Sequence, residues 1–248
     1  MTDLIIERHG RTEVWALNRP QSRNALSPAL VDALASALNA AETIGTRVVV
    51  LSGRGPSFCA GADLRHLLGC AEVGASPRPF LQAIGDLTLA MEASSVVFVA
   101  ALHGHAVAGG FELALACDIV IAATGTLVGD GHVTNNLVPG GGSSVRIESR
   151  LWWGRARLLA LSGTLVCAEE LESTGWINAV VHPDDLRSAA LAVAEELAEA
   201  PADAQRRWKT LLTPSRSDTD AALNRELDMF DEHWRCSDVA AALHRFLG

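Results

Sequence analysis

Two short segments consist of very small residues, which would leave their backbone N–H groups free to donate hydrogen bonds to a negatively charged oxygen. Residues 59–63 read Cys-Ala-Gly-Ala-Asp, and such side chains are too small to keep a bound group away from the main chain. Gly109 and Gly110 stand where a helix is predicted to begin, so their N–H groups lie at the positive end of its dipole. The first segment taken alone reads more simply as a surface turn. Together the two segments predict a pair of N–H donors that form an oxyanion hole.

Glu112 follows Gly109 by three residues, which places both on one face of the predicted helix, about one turn apart. It stands between the glycine pair and the apolar run 113–116, so we expect its carboxyl group to be buried. Burial raises the pKa of a carboxylic acid and suits it to proton exchange near neutral pH. Glu112 is therefore the candidate acid/base, and the alternative is an exposed helix glutamate without a chemical role.

The segments that position these residues read as alternating strands and helices. The apolar runs at 48–51 and 96–101 have strand length, and each precedes one of the small-residue segments. Ser27 and Pro28 supply an N-cap and a first helical position. Other elements are expected as strands at 4–7, 12–17 and 118–123, and as helices at 79–93, 189–212 (interrupted near 201) and 221–247.

The composition bounds the partners and the compartment. The chain has 248 residues, of which 49% are hydrophobic, enough for one large core. A net charge of −9 argues against nucleic acid or an anionic membrane as the main partner. The apolar runs are too short to span a bilayer, and no basic and apolar leader precedes Leu4. Five cysteines without a C-x-x-C pair favour reduced thiols, so we expect a cytoplasmic protein.

Five motifs occur in an order that is typical of one family. The first joins Leu-Asn-Arg-Pro at 17–20 with Arg-Asn-Ala-Leu-Ser at 23–27, and the small-residue segments at 58–64 and 104–118 are the second and third. Val-Pro-Gly-Gly-Gly at 138–142 with Arg146, and Leu-Ser-Gly at 161–163 with residues 168–175, complete the series. One such motif is weak evidence, but five in this order resemble the enoyl-CoA hydratase/isomerase family, also called the crotonase superfamily.

The resemblance implies that the N–H groups of Ala62 and Gly109 hold a thioester carbonyl and that Glu112 is one of two catalytic glutamates. In the family's hydratases the second glutamate stands seven residues before the proline of the PGxGG motif, and here that position is His132. A histidine donates and accepts protons at neutral pH, so His132 either replaces the carboxylate or only fills space. Asp130 is a weaker candidate, because a strand-like alternation would place it on the same side as His132.

The resemblance also implies coenzyme A as part of the substrate, with no permanently bound cofactor and no metal ion. Arginine pairs well with phosphate oxygens, although each arginine taken alone is more often a surface charge. In the family an aromatic residue at the position of Phe230 approaches CoA from a neighbouring subunit, and His103 or His105 could line the acyl pocket. The residues expected near the thioester and CoA are Arg19, Arg23, Ala60, Asp63, Arg65, Gly110 and Phe230.

The expected architecture is α/β. Residues 1–188 are expected to form a crotonase-like spiral of ββα units that carries the acyl-CoA site, and residues 189–248 a C-terminal helical region that assembles a homotrimer or a hexamer of two trimers. Three functions remain open: an enoyl-CoA hydratase-like enzyme that uses Glu112 and His132, a single-acid member such as an isomerase, decarboxylase or thioester hydrolase, and a protein that binds acyl-CoA without turnover. Glu112 with both small-residue segments argues against the binding protein, and His132 argues against an ordinary hydratase.

Overall fold

A six-stranded sheet forms the centre of the computed structural model, which describes residues 2–213 and 216–247. Its strand order is β1-β2-β3-β4-β6-β9, with β1 antiparallel to β2 and every other pair parallel. A second sheet of three strands has the order β5-β7-β8. Among the described residues the strands are β1 Leu4–His9, β2 Thr12–Leu17, β3 Val48–Gly53, β4 Val97–Leu102, β5 His105–Val107, β6 Ile119–Ala123, β7 Leu127–Gly129, β8 Val166–Cys167 and β9 Ala179–Val181.

Helices follow most strands and dominate the last third of the chain. The helices within the described ranges are α1 Pro28–Ile44, α2 Leu64–Glu72, α3 Arg78–Ala93, α4 Gly109–Leu115, α5 Ser143–Arg150, α6 Trp153–Ser162, α7 Glu169–Glu172, α8 Leu186–Glu199, α9 Ala202–Leu212, α10 Arg216–Cys236 and α11 Val239–Leu247. None of the described helices is long and apolar enough to cross a bilayer. The expected α/β architecture with C-terminal helices is confirmed.

The early elements form where the local sequence predicts them. Leu4 pairs with Leu17 and His9 with Thr12, so the first two strands close around the turn at Gly10. The Ser27 side chain accepts a hydrogen bond from the Leu30 N–H, and Pro28 occupies the first turn of α1. This cap satisfies one of the free N–H groups at the helix start and fixes the direction of the helix.

The sheet is covered on both faces. One face packs against α1, α3 and α4 in the main hydrophobic core. Its other face packs against α8, where Ala190, Ala194 and Ala198 recur every four residues and let the helix approach the strands closely. The boundary expected after residue 188 falls in the first turn of α8, and α8 shares its core with β3, β4 and β6.

The stretch 221–247, expected to be helical, is divided between two helices. These are α10 and α11, which are separated at Ser237 and Asp238. The Asp238 carboxylate accepts a hydrogen bond from the Ala241 N–H, so a new N-cap begins α11. The Ser-Asp pair is a helix-start signal that the helical periodicity on either side of it masks.

A buried ion pair joins α3 to α5, the helix whose N-terminus borders the candidate site. The Arg146 guanidinium donates to Glu92 through Nε at 2.9 Å and Nη2 at 2.7 Å, and both side chains are buried. Arg146 also donates to the Gly142 carbonyl at 3.2 Å. Because the fork-shaped contact is bidentate, it fixes the orientation of α5 relative to α3.

Removal of one partner of this ion pair should be more harmful than removal of both. We expect Glu92→Leu to lower the free energy of unfolding by about 3–5 kcal/mol, because the Arg146 charge would remain buried without a counter-charge. The double variant Glu92→Leu/Arg146→Met should recover a large part of that loss. Urea unfolding of the three proteins measures the difference, and a double variant less stable than Glu92→Leu would contradict this account.

Candidate active site

Two loops meet beside strand β5 and form one wall of a cavity. Cys59 donates its N–H to the His105 carbonyl at 3.0 Å, and Val107 donates to the Cys59 carbonyl at 3.1 Å. The segment after β3 therefore lies parallel to β5 through the bridge between Cys59 and Ala106. A buried asparagine supports this segment, since Asn24 Nδ2 donates to the carbonyl of Ser57 at 2.7 Å. The two small-residue segments predicted from the sequence are thus in direct contact.

The closeness of the two loops explains why they consist of small residues. Gly61 has φ +102°, and a Cβ there would lie 2.9 Å from the Ala108 Cβ and 3.2 Å from the Gly109 nitrogen. A Cβ on Gly110 would lie 2.2 Å from the Cys59 carbonyl oxygen. Burial raises the pKa of the Cys59 thiol to about 12, so this side chain is a protonated packing group.

Two N–H groups at this junction lack an acceptor within the described part of the chain. These are the N–H of Ala62, which follows Gly61, and the N–H of Gly109, the first residue of α4. A Cβ on Gly109 would lie 3.1 Å from the Ala62 nitrogen, so the two loops place these residues side by side. Ala108 precedes Gly109 with φ +50° and ψ −120°, a strained conformation that costs about 1–3 kcal/mol. The two N–H groups predicted as a donor pair are therefore adjacent and unpartnered, and their role as an oxyanion hole stays a prediction.

Glu112 is buried one turn into α4, with one carboxylate oxygen held and the other available. Its Oε1 accepts the N–H groups of Gly141 and Ser143, each at 3.0 Å. Its Oε2 has no hydrogen-bond partner among the described residues, and Glu112 lines the cavity. Burial raises the pKa of Glu112 to about 7, although the nearby His132 charge acts in the opposite direction. The carboxyl group can therefore exchange a proton near neutral pH.

His132 reaches the same cavity from a turn, and the expected strand alternation with Asp130 is wrong. Strand β7 ends at Gly129, Gly131 has φ +65°, and His132 begins a short 3₁₀ turn. The two side chains nevertheless meet, because His132 Nδ1 lies 2.9 Å from Asp130 Oδ1. Burial alone would lower the pKa of His132, but the Asp130 charge, their hydrogen bond and Glu112 outweigh it and raise the pKa to about 9.

The topology of the small sheet brings these groups together. Strand β5 leads to Gly109 and Glu112, whereas β7 leads to Asp130 and His132. The two strands are parallel neighbours, with Val107 opposite Gly129, so their carboxyl ends share one edge. Residues far apart in sequence are therefore adjacent at the cavity.

Two buried groups of the site were missed by the sequence analysis. Ser143 donates its N–H to Glu112 and its hydroxyl to Asp130 Oδ2. Glu226, from α10, accepts the N–H groups of Gly142 at 2.7 Å and Ser144 at 2.8 Å. A glycine-rich segment ahead of a helix is the local signal for the first group, whereas Glu226 comes from a distant helix and has no local signal.

The cavity has a volume of about 720 Å³ and a polar rim over an apolar interior. The exposed side chains of Arg23 and Arg65 lie at its rim, and Glu112 and His132 lie deep inside. The interior is lined by buried apolar side chains of α2, α3, the segment before α5 and α10, among them Leu67, Leu81, Ile84, Leu137 and Phe230, and the exposed Phe246 of α11 borders the cavity. Across the described residues, no three His, Cys, Asp or Glu side chains are placed to hold a metal ion.

The other predicted binding residues divide into two groups. Ala60 and Phe230 line the cavity, and Phe230 does so within its own chain, stacked on Trp234 at 5.5 Å between ring centroids. Arg19 is occupied elsewhere, because its Nη2 donates to Asp63 Oδ2 at 2.9 Å and its Nη1 to the Ala25 carbonyl. Among the described residues, the cavity lining includes neither Arg19 nor Asp63.

The structure also shows whether three further predicted residues, Gly110, His105 and His103, line the cavity. Gly110 packs on Cys59 behind the cavity wall and does not line the cavity, as far as the described residues show. His105 lines the cavity and lies 3.3 Å from the Ser57 hydroxyl. His103 instead contacts the Gly55 carbonyl at 3.1 Å, so of these two histidines only His105 contributes to the described wall.

Comparisons with known proteins agree on one family. A family model described as enoyl-CoA hydratase/isomerase matches residues 12–248. A protein of Rhizobium meliloti named probable enoyl-CoA hydratase is 35% identical over 79% of this chain and 75% of its own length. The 2,3-dehydroadipyl-CoA hydratase of Escherichia coli is 33% identical over 80% of this chain and 76% of its own length. The crystal structure of an enoyl-CoA hydratase/isomerase from Mycobacterium paratuberculosis superimposes with a TM-score of 0.90 at 26% identity, covering 99% of this chain and 98% of that one.

The contact between the two loops generates a prediction about stability. We expect Gly61→Ala to destabilise the protein by about 1–3 kcal/mol, because an alanine is strained at φ +102° and its methyl group meets Ala108. Gly69→Ala is the matched control, since Gly69 lies within α2 with open space around it, and this change should stabilise the helix by about 0.5–1 kcal/mol. Thermal or urea unfolding compares the two, and equal effects of the same sign would refute the strained-loop interpretation.

Proposed function

The chain belongs to the enoyl-CoA hydratase/isomerase family, and we propose that it adds water to the double bond of an enoyl-CoA thioester through an enolate held by Ala62 and Gly109. The single observation that carries this proposal is that the unpartnered N–H groups of Ala62 and Gly109 are adjacent and that Glu112, with its Oε2 free, follows Gly109 by one helical turn. Two backbone donors suit the thioester oxygen as it gains negative charge, and a buried carboxylate beside them suits proton transfer.

The two N–H groups act on the step that is most difficult in water. Attack on carbon 3 of an enoyl thioester moves electrons onto the thioester oxygen, and this enolate is poorly stabilised without donors. Because Ala62 and Gly109 are fixed by the contact of two loops, their N–H groups need no reorganisation as the charge develops. One such donor typically contributes about 10²–10³ in rate.

Glu112 is the proposed acid/base for the attacking water. Its Oε1 is held by two N–H groups, its Oε2 is free, and the residue lines the cavity. Since burial brings the pKa of Glu112 to about 7, a sizeable fraction is ionised at neutral pH and can accept a proton from water. His132 is proposed as the second catalytic group, in the position of the family's second glutamate.

Coenzyme A is proposed to enter over the polar rim. Arg23 and Arg65 are exposed at the rim and suit the phosphate groups of CoA, while the apolar interior suits an acyl chain. Ala60 and Phe230 border the same space and are proposed to contact the thioester arm or the acyl chain. Arg19 and Asp63 are proposed to support the loop, because they pair with each other.

Replacement of Glu112 tests the proposed mechanism. Glu112→Gln keeps the shape and the acceptor for Gly141 and Ser143 but removes the exchangeable proton, so we expect kcat for crotonyl-CoA hydration to fall by about 10²–10⁴. Glu196→Gln, on the exposed face of α8, is the control and should leave kcat unchanged. Unchanged turnover in Glu112→Gln would refute the assignment.

The products identify which reaction the site performs. Crotonyl-CoA and a panel of other acyl-CoA thioesters are incubated with the protein and analysed by mass spectrometry. Hydration adds one water, isomerisation leaves the mass unchanged, decarboxylation removes carbon dioxide and hydrolysis releases free CoA. If the main product is not the hydrated thioester, hydration is refuted and a single-acid reaction takes its place. If acetoacetyl-CoA binds saturably and no product forms from any thioester, the protein is a binding protein.

We further propose that the chain forms a homotrimer or a hexamer of two trimers. Most apolar residues of α8 and many of those of α10 pack within the chain itself, so the argument for an assembly comes from other helices. Trp152 and Leu161 at the ends of α6, and Trp208, Leu211 and Leu212 on α9, are 63–77% exposed. Large exposed apolar side chains in such groups are typical of protein–protein interfaces.

Light scattering with size-exclusion chromatography tests the assembly. We expect a mass three or six times that of the 26.2 kDa chain at micromolar concentration, because burial of these side chains favours association. A monomer at that concentration would contradict the proposal.

A further inference from the structure

His132 is held from behind by Asp130, and Asp130 by the Ser143 hydroxyl; the proposed function assigns no role to either side chain. Asp130 Oδ1 lies 2.9 Å from His132 Nδ1 and also accepts the His132 N–H at 3.3 Å. Asp130 Oδ2 accepts the Ser143 hydroxyl, which fixes the carboxylate in turn. The imidazole is 11% exposed, it lines the cavity, and its Nε2 has no hydrogen-bond partner among the described residues. One ring nitrogen is therefore fixed from behind while the other remains free at the cavity.

The residue type at position 132 fits its surroundings electrostatically. The charged groups that face His132 are Asp130, Glu112 and Glu226, all of them carboxylates. A glutamate at position 132 would meet Asp130 at hydrogen-bond distance and add a fourth negative charge. A protonated histidine instead neutralises part of this cluster, so Asp130 and His132 form a matched pair.

The charged side chains of the helices packed against the turn lie elsewhere. On α6, Arg155 pairs with Glu170 and Arg157 with Glu148. On α11, His244 pairs with Glu72, and Arg245 is exposed. The three carboxylates therefore dominate the electrostatic environment of the imidazole.

We propose that Asp130 and Ser143 are positioning residues that hold His132 as an imidazolium, so that its Nε2–H is the acid that protonates carbon 2 of the substrate. The proposal rests on the proposed hydration and assigns the direction of proton transfer within it. Ser143 has a double position, because its N–H holds Glu112 while its hydroxyl holds Asp130. One residue therefore sets the spacing between the base and the acid.

The proton balance of the hydration is complete with these groups. The water oxygen bonds to carbon 3, and the proton it loses passes to the Glu112 carboxylate. The electrons of the C2=C3 bond enter the enolate, and carbon 2 then takes the proton from His132 Nε2 as the thioester carbonyl re-forms. Glu112 ends protonated and His132 neutral, and transfer of that proton between them through solvent restores both groups.

This assignment fixes the shape of the pH profile. Activity requires ionised Glu112 and protonated His132. Burial raises the pKa of Glu112 to about 7, and Asp130 with Glu112 raises the pKa of His132 to about 9 against the effect of burial. Turnover should therefore rise as the pH increases through about 7 and fall as it increases through about 9.

Two substitutions test the positioning roles. In Asp130→Asn we expect kcat to fall by about 10²-fold and the descending limb to move down by about one pH unit or more, because the charge that favours the imidazolium is removed. Ser143→Ala keeps the N–H to Glu112 and should lower kcat by about tenfold. Asp184→Asn is the control, since Asp184 lies 3.6 Å from an exposed histidine, His182, and should change neither kcat nor the profile.

The double variant Asp130→Asn/His132→Ala shows whether Asp130 acts through His132 or only supports the structure. If Asp130 acts through the imidazole, Asp130→Asn should cause little further loss of turnover in the His132→Ala background. A loss as large as in the wild-type background would overturn the proposal, as would a pH profile that does not move in Asp130→Asn. Ser143→Ala provides the same comparison if Asp130→Asn does not fold.

Titration of the histidine rings by NMR needs no turnover and keeps this proposal separate from the proposed function. The His132 signals are identified by their absence in His132→Ala, and their pKa should fall by about one unit or more in Asp130→Asn. If the ring titrates as expected while the wild type hydrates no enoyl-CoA thioester, hydration is refuted and the positioning of His132 is supported. If the ring pKa is the same in both proteins, the positioning role is refuted whatever the activity.

Discussion

The N-terminus of α5 is the feature on which the rest of the site depends. Two buried carboxylates share its free N–H groups: Glu112 accepts from Gly141 and Ser143, and Glu226 accepts from Gly142 and Ser144. Buried carboxylates are unfavourable in an apolar interior, and a helix N-terminus compensates for this with hydrogen bonds and a positive partial charge. Since α4 and α10 each supply one carboxylate, this single terminus joins α4 to the C-terminal region.

The same arrangement explains why Glu112 is both buried and chemically available. A carboxylate whose two oxygens were fully bonded would be fixed as an ion, and one without partners would be fixed as a neutral acid. Glu112 lies between these limits, because Oε1 is bonded twice and Oε2 is free. The neighbouring His132 charge favours ionisation while burial opposes it, and the pKa of Glu112 is raised to about 7 as a result. A proton can then be gained or lost at little cost.

Sequence reasoning located the parts of the site that depend on local pattern. The small residues at 59–63, the glycines that begin α4 and the burial of Glu112 follow from neighbours in the chain, and the structure places them together. The geometry of Asp130 and His132 could not be predicted in this way, because Gly131 at positive φ replaces strand alternation with a turn. The pairing of Arg19 with Asp63 depends on a contact between residues 44 positions apart, which no local pattern reveals.

The backbone at Ala108 is strained, and neighbouring hydrogen bonds hold it in this conformation. Its conformation turns the chain between the end of β5 and the start of α4, and the Gly109 N–H has no acceptor among the described residues. The Ala108 N–H still bonds to the Gly129 carbonyl at 3.2 Å, and its carbonyl accepts the Glu112 N–H at 2.9 Å. The strained conformation is therefore held by hydrogen bonds on both sides, one of which orients α4. Because Ala108 holds both the proposed donor Gly109 and the proposed acid/base Glu112, a shift of this loop would move both groups together.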